Sequence, residues 1–371
     1  MTHTQPVDLP QPDMVQLLTA EGNRASDRQF GLEISDTEIG NLYRDLVLVR
    51  RIDTEAIALQ RQGELGLWTS LRGQEAAQIG AGRALRAHDM TFPSYREHGV
   101  AWCRGVDPLD LLGLWRGSSP GGFDPHQHNF APYTIVIGAQ TLHAVGYAMG
   151  VVRDGTTGTG DAEQDTAVLV FLGDGAMSQG DVSEAFVWAA AQNLPVVFFC
   201  QNNQWAISAP VEVQSRAPLY RRSAGFGFPG VRIDGNDVLA SLAVTRSALD
   251  RARAGGGPTL IEAFTYRMNP HTTSDNATRY RSDLELEPWR LRDPIERVRR
   301  YLVRAAGVEQ DFFDAIEEES EKLAERLRTG GRAIPDATAA SIFDRAYVSM
   351  PSALAAQRSE FIDNSRAHEV G

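Results

Sequence analysis

The sequence predicts an α/β domain, a mostly parallel sheet with helices on both faces. Three observations predict it. Residues 166–172 (TAVLVFL), 195–200 (PVVFFC) and 259–266 (TLIEAFTY) are short, apolar and β-rich, as strands covered on both faces must be. Helical stretches separate them, at 182–193 and 241–255, giving strand–helix–strand alternation. Polar turns follow two of the strands, GDGAMSQGD (173–181) and QNNQ (201–204). In such sheets the crossovers run right-handed and ligands sit beyond the carboxyl ends of the strands.

Taken in order, residues 1–35 are rich in Pro, Gln, Asp and Thr and lack periodicity, which predicts a flexible arm. The α/β domain then spans 36–371. A Ser/Asp cap at 35–36 opens a long helix through about 65. A second helix covers 73–85. A polar aromatic stretch, FPSYREHGVAWCRG (92–105), precedes a short helix at 108–117. Residues 117–133 read as loop. Small residues recur closely in 134–152, which suits a helix pressed against another backbone, and 153–165 reads as a surface loop. Asp181 and Glu184 have the spacing of a capping box for the helix after the GDG turn. VRIDG (231–235) is a further strand, and from about 288 the chain is helical, acidic and arginine-rich.

Composition excludes several classes. The 371 residues carry a net charge of −12, so no basic surplus exists to neutralise nucleic-acid phosphates. No apolar run approaches the length that spans a membrane, and the N-terminus has neither the basic start nor the apolar core of a secretory signal. Cys103 and Cys200, 97 residues apart, form neither a disulfide framework nor a cysteine-rich zinc site, which predicts a reducing cytoplasm. Of the 36 Lys and Arg residues only Lys322 is lysine, in an exposed-type helical pattern. That disfavours Schiff-base and P-loop chemistry. Arginine for lysine, with abundant alanine, suggests a bacterial genome rich in GC.

The chemistry lies in the two turns. Neighbouring parallel strands set Gly173-Asp174-Gly175 beside Asn202-Asn203, with Asn203 29 residues after Asp174. The Asp174 carboxylate, the Asn203 amide oxygen and a main-chain carbonyl just beyond make a hard, all-oxygen set. One negative charge is too little for a calcium cage. It suits Mg²⁺ that keeps positions for water and diphosphate oxygens. The glycines let backbone approach those phosphates, and the following helix offers them its N-terminus.

GDG followed by NN at this spacing resembles the thiamine diphosphate-binding motif. YREHG (95–99), VIGAQ (136–140), LGDGAMSQGD, CQNNQWAIS, RIDGND and IEAFTYRMNPHTTSD resemble the alpha subunit of the decarboxylating component of 2-oxo acid dehydrogenases, over roughly 40–350. The last segments lean toward branched-chain 2-oxo acid dehydrogenase. The resemblance implies the thiamine diphosphate-binding fold and Mg²⁺ held by Asp174, Asn203 and the Trp205 carbonyl. It implies cofactor contacts from Tyr95, Arg96, Gly173, Gly175, Ala176, Ala206 and His271, with backbone of Ile135 and Ile137 receiving the aminopyrimidine. His271 would serve acyl transfer. The implied reaction is oxidative decarboxylation of a branched-chain 2-oxo acid, with the acyl unit passed to a lipoyl group on an acyltransferase core. Only the diphosphate-clamp half of a thiamine site is legible in this chain. A beta subunit in an alpha-two beta-two assembly is therefore expected to supply the rest.

The sequence departs from that pattern at Gln201, where branched-chain relatives often carry a phosphate-binding Arg, and at Trp205, where Tyr is usual. Three alternatives stay open: a pyruvate dehydrogenase alpha subunit, a non-catalytic nucleotide-binding protein, and a metal hydrolase built on His126 and His128. The second lacks a GxGxxG fingerprint and the third lacks a third ligand. A substrate-side role for His128 is expected ahead of the hydrolase. Thr272, Thr273 and Ser274 sit where some relatives are phosphorylated, and read here as a polar mobile loop.

Overall fold

A computed structural model of the chain describes residues 14–118, 122–338, 340–344 and 347–369. Its strands are β1 (Met14–Val15), β2 (Met90–Phe92), β3 (Val168–Gly173), β4 (Val196–Asn202), β5 (Trp205–Ala206), β6 (Ala209–Pro210), β7 (Gly230–Asp234) and β8 (Thr259–Phe264). Six of them form one sheet in the order β1-β7-β8-β4-β3-β2, every pair parallel. The short strands β5 and β6 pair antiparallel in the loop after β4.

Helices α1 (Asp36–Arg61), α2 (Glu75–Ala84), α3 (His98–Cys103), α4 (Pro108–Arg116), α5 (Pro125–His128) and α6 (Ala139–Arg153) precede β3. Then come α7 (Gly180–Ala191), α8 (Val211–Gln214), α9 (Arg222–Phe226) and α10 (Val238–Arg253). The C-terminal region carries α11 (Glu287–Arg290), α12 (Pro294–Arg304), α13 (Gln310–Ala333) and α14 (Ser352–Glu369).

The period-two pleat explains why the strands are apolar throughout. Leu169, Phe171, Val197 and Phe199 point into the core shared with α1, α2 and α10. Val168, Val170, Leu172, Val196 and Phe198 point into the core shared with α6 and α7. Both faces are covered, as predicted. On the first face α2 and α10 approach closely because position 80 is glycine. A Cβ there would lie 2.5 Å from Ser241 Cβ and 2.7 Å from the Val238 carbonyl.

Three local expectations are corrected. The predicted arm covers 1–35, but residues 14–35 belong to the domain; 1–13 lie outside the described residues. Met14 and Val15 pair with Arg232 and Ile233 of β7, and Leu17 and Leu18 are buried. The Asp237 carboxylate accepts both of their backbone N–H groups at 2.6 Å and also caps α10. The partner is some 220 residues away, so no local pattern announces this pairing. Residues 117–133, read as loop, carry the short helix α5, and 90–92 add a strand, β2, that no sequence pattern predicted. Asp181 and Glu184 make no capping box. A 3₁₀ turn over Gly175–Ser178 moves the start of α7 to Gly180, and Glu184 instead accepts from Trp188 Nε1 at 2.7 Å. The cap expected at Ser35 does form, as a capping box with Glu38.

Candidate functional site

The register of β3 and β4 sets Gly173 opposite Gln201, and that of β4 and β8 sets Asn202 opposite Phe264. The three segments leaving these strands, 173–176, 203–207 and 265–271, therefore emerge side by side at the carboxyl edge. They wall a cavity together with 94–97 and 137–140. Tyr95, Arg96, Ile137, Gly173, Asp174, Gly175, Ala176, Asn203, Trp205, Ala206 and His271 all line it. Ile135 does not: it is 64% exposed, beside Val136, at 70%, on the outer surface. The turn after β3 lies hard against the loop after β4. A Cβ on Gly175 would fall 2.7 Å from the Ala206 Cβ.

Asp174 is buried, and among the described residues it forms no ion pair. Gln214 Nε2 donates to its carboxylate at 3.3 Å. Burial pushes its pKa up to about 6. Asn203 donates from Nδ2 to Gln74 at 2.8 Å and accepts the Trp205 N–H on Oδ1 at 3.2 Å. The loop between β4 and α8 is strained: Gln204 and Ile207 have φ of 70° and 53°, and a β-branched residue is rare there. Arg267 holds that strain. Its Nη1 donates to the Trp205 carbonyl at 2.9 Å, and its Nη2 to the Ile207 carbonyl at 2.8 Å.

Positive charge gathers on this side without direct ion pairs among the described residues. Arg96 donates to the carbonyls of Ser70 and His271 at 2.6 and 2.8 Å. Arg281 donates to the carbonyls of Arg267, Met268 and Asn269. Among the described residues, none of Arg96, Arg267 and Arg281 forms an ion pair with a carboxylate. Burial, then the charges of Arg96 and Arg281, push Arg267 down to about 10. Its Nε has no partner.

His271 sits against this cluster. Its Nδ1 faces Arg96 Nη2 at 3.3 Å and Arg267 Nη1 at 3.4 Å. Guanidinium groups only donate, so Nδ1 accepts and the ring proton is on Nε2. Burial, then Arg96 and Arg267, push its pKa down to about 3. The ring is therefore neutral at pH 7.

Several residues lie elsewhere than expected. Gln201 turns its amide to protein groups: Nε2 donates to Glu97 at 2.6 Å, and Oε1 accepts from Gln74 and Gln78 at 2.8 and 3.0 Å. It does not replace a phosphate-binding Arg. The Trp205 indole donates to Tyr266 at 3.1 Å, while its carbonyl stays at the site. His128 is outside the cavity, where its Nδ1 meets the Arg104 carbonyl at 3.1 Å, and His126 is exposed. Neither lines the cavity, and no cluster of three His, Cys, Asp or Glu that could hold a metal occurs among the described residues. The 272–274 loop is tethered, with Thr273 exchanging two hydrogen bonds with Trp68 at 3.0 Å each. No described helix is long and apolar enough to cross a membrane. Gln74, Glu97, Gln140 and Gln179 also line the cavity. Their only sequence signal was proximity to GQEA, YREHG, VIGAQ and GDGAMSQGD.

The comparisons agree with this geometry. The model of the family described as "Dehydrogenase E1 component" matches residues 43–328. The chain is 44% identical over 347 residues to the 3-methyl-2-oxobutanoate dehydrogenase subunit alpha of Mycobacterium tuberculosis, covering 93% of this chain and 92% of that one. Over the same length it is 34% identical to the pyruvate dehydrogenase E1 component subunit alpha of Staphylococcus epidermidis, covering 93% and 91%. It is 38% identical over 281 residues to the corresponding subunit of Acholeplasma laidlawii, covering 75% and 79%. A family match over most of the chain, on a parallel α/β sheet whose carboxyl edge gathers the GDG and NN turns, settles its membership: the chain belongs to the dehydrogenase E1 component family.

Proposed function

We propose that this chain is the alpha subunit of a thiamine diphosphate-dependent 2-oxo acid dehydrogenase acting on branched-chain 2-oxo acids. The observation that carries the substrate assignment is the 44% identity to a 3-methyl-2-oxobutanoate dehydrogenase subunit, against 34% to a pyruvate dehydrogenase subunit over an equal length.

The residues present fit the cofactor and its metal. Asp174, a buried carboxylate, and Arg96, a buried guanidinium, both line the cavity, and among the described residues neither forms an ion pair. Burying charge unpaired is costly. A divalent cation beside Asp174 and a diphosphate beside Arg96 would answer both deficits. Asp174, the Asn203 oxygen and the Trp205 carbonyl would hold Mg²⁺. Arg96 would hold diphosphate oxygens, with Arg267 adding positive potential from behind the wall. When bound, thiamine diphosphate supplies the carbanion chemistry that removes CO₂ from a 2-oxo acid. His271, with Nδ1 turned to the guanidinium groups and the ring proton on Nε2, would serve acyl transfer to a lipoyl group.

The cavity of about 250 Å³ is smaller than the roughly 300–1,000 Å³ of complete small-molecule sites. Ile135 and Val136 stand uncovered beside it. Both features support a beta subunit that completes the site, in an alpha-two beta-two assembly serving a lipoyl-bearing acyltransferase core. The relatives are bacterial, and a cytoplasmic location follows the same reading.

Steady-state rates of the chain with its beta partner, on pyruvate and on the three branched-chain oxo acids, test the proposal. Higher kcat/KM on the branched-chain acids is expected. A preference for pyruvate would move the assignment to pyruvate dehydrogenase. Full-rate decarboxylation by the alpha chain alone would defeat the two-subunit site.

A further inference from the structure

Under the cavity a series of amide and carboxyl groups is joined with a fixed polarity. Glu97, Gln201, Gln74 and Asn203 all line the cavity and are all more than nine-tenths buried. Glu97 Oε2 accepts the Ser94 N–H at 2.7 Å and the Ser94 hydroxyl at 2.8 Å. Its Oε1 accepts from Gln201 Nε2 at 2.6 Å. Gln201 Oε1 is thereby turned toward two donors, Gln74 Nε2 at 2.8 Å and Gln78 Nε2 at 3.0 Å.

Gln78 cannot be reversed. Its Oε1 accepts the Gly99 N–H at 2.9 Å, and its Nε2 donates to the Arg96 carbonyl at 3.0 Å. Backbone groups have only one polarity each, so they fix the amide. Gln201 is thus set from both sides, by a carboxylate and by an amide pinned to backbone. Gln74 must then donate to Gln201 from its nitrogen. Its own oxygen is left to accept from Asn203 Nδ2, at 2.8 Å. Asn203 Oδ1 consequently lies at the other end, where among the described residues only the Trp205 N–H reaches it, at 3.2 Å. An amide oxygen has two lone pairs, so one remains for a cation.

This matters because a reversed Asn203 would present two N–H donors to the metal, which repel it. We infer that Gln74 is a positioning residue: held by Gln201, Glu97 and Gln78, it keeps the oxygen of Asn203, and not its nitrogen, turned to the divalent cation. The inference rests on the Mg²⁺ reading of the site given above. It also gives Gln201 a function. An arginine there has only donors and could accept from neither Gln74 nor Gln78.

The test is a Mg²⁺ titration of the full chain assembled with its beta partner, at fixed thiamine diphosphate, read by calorimetry and by tryptophan fluorescence rather than by turnover. Gln74→Leu is expected to raise the half-saturating Mg²⁺ concentration about 10–100-fold, as loss of an outer partner of a metal ligand does. In an Asn203→Asp background both ends of the ligand are oxygen, so orientation no longer matters. There, adding Gln74→Leu is expected to change half-saturation by less than about 3-fold. Gln201→Met removes the anchor of Gln74 without touching Asn203, and is expected to reproduce the loss. It is read on its own if either Gln74→Leu or Asn203→Asp does not assemble. An equal loss from Gln74→Leu in both backgrounds, or unchanged half-saturation in Gln201→Met, would overturn the positioning role. A wild-type enzyme that binds cofactor independently of Mg²⁺ would instead overturn the metal-site reading, and the inference with it.

Discussion

Asp234 and Arg297 meet at 2.8 Å beside the edge strand β1, both almost fully buried. Arg96 and Arg267, as deeply buried at the carboxyl edge of the same sheet, face carbonyls and His271 instead. At the edge strand, burial pushes the Asp234 carboxyl up, but the Arg297 charge together with hydrogen bonds from Arg297, Gln16 and the Asn236 N–H outweighs it and holds the group below the ordinary range. At the cavity, burial is not outweighed, and Asp174 is pushed up to about 6. One region closes its own electrostatics and so builds structure. The other leaves them open, and an open balance is what a charged ligand closes.

Four measurements can break or sharpen that contrast. The largest effect is expected at the open region. His271→Ala should lose acyl transfer to a lipoyl domain by on the order of 10²–10⁴-fold, while decarboxylation with an artificial electron acceptor is largely kept. A parallel fall of both activities together with cofactor affinity would mean that the ring only orders its loop.

Next is the closed region. Arg297→Met strands the Asp234 charge and should cost about 3–5 kcal/mol in denaturant unfolding. Arg267→Met strands no carboxylate and should cost clearly less. Equal losses would erase the distinction drawn between the two regions.

Third, Asp174→Asn should raise half-saturating Mg²⁺ by about 100-fold in a calorimetric titration, with thermal unfolding of the cofactor-free chain little changed. Unaltered cofactor affinity would remove Asp174 from the site.

The smallest effect is a pH slope. Burial pushes His98 down to about 3; the Thr69 carbonyl opposes this and the Arg96 charge adds to it. The ring stacks on Trp68 with centroids 4.1 Å apart. The unfolded chain takes up this proton below about pH 6.5 and the folded chain does not. The stabilisation is complete above that pH and is lost as pH falls toward 3, by up to about 1.4 kcal/mol per unit. His98→Gln should flatten the acid limb of stability between pH 6.5 and 5 by that amount. An unchanged slope would mean that the ring is protonated in the fold.

What the sequence by itself determined is local and repetitive. The strands at 168–173, 196–202 and 259–264 are legible because a strand covered on both faces must be apolar at every position, and a run of Val, Leu and Phe has no other use. The GDG and NN turns are legible because they are polar, follow two apolar strands and have the spacing of the thiamine diphosphate-binding motif. Tertiary structure decided what depends on distant partners. Strand β1 exists because Asp237 and β7 wait more than 200 residues away. The Asp181 box fails because a 3₁₀ turn claims the residues ahead of it. Gln74, Gln78 and Gln201 look alike in sequence, as polar residues with two-ended amides. Which end faces which neighbour is set only where the Gly99 N–H, the Arg96 carbonyl and the Glu97 carboxylate are folded against them. The neutrality of His271 likewise comes from burial first and then from two guanidinium groups, one 175 residues before it and one four residues before it. Charge and hydrogen-bond polarity are properties of neighbourhoods, and a neighbourhood is made only by the fold.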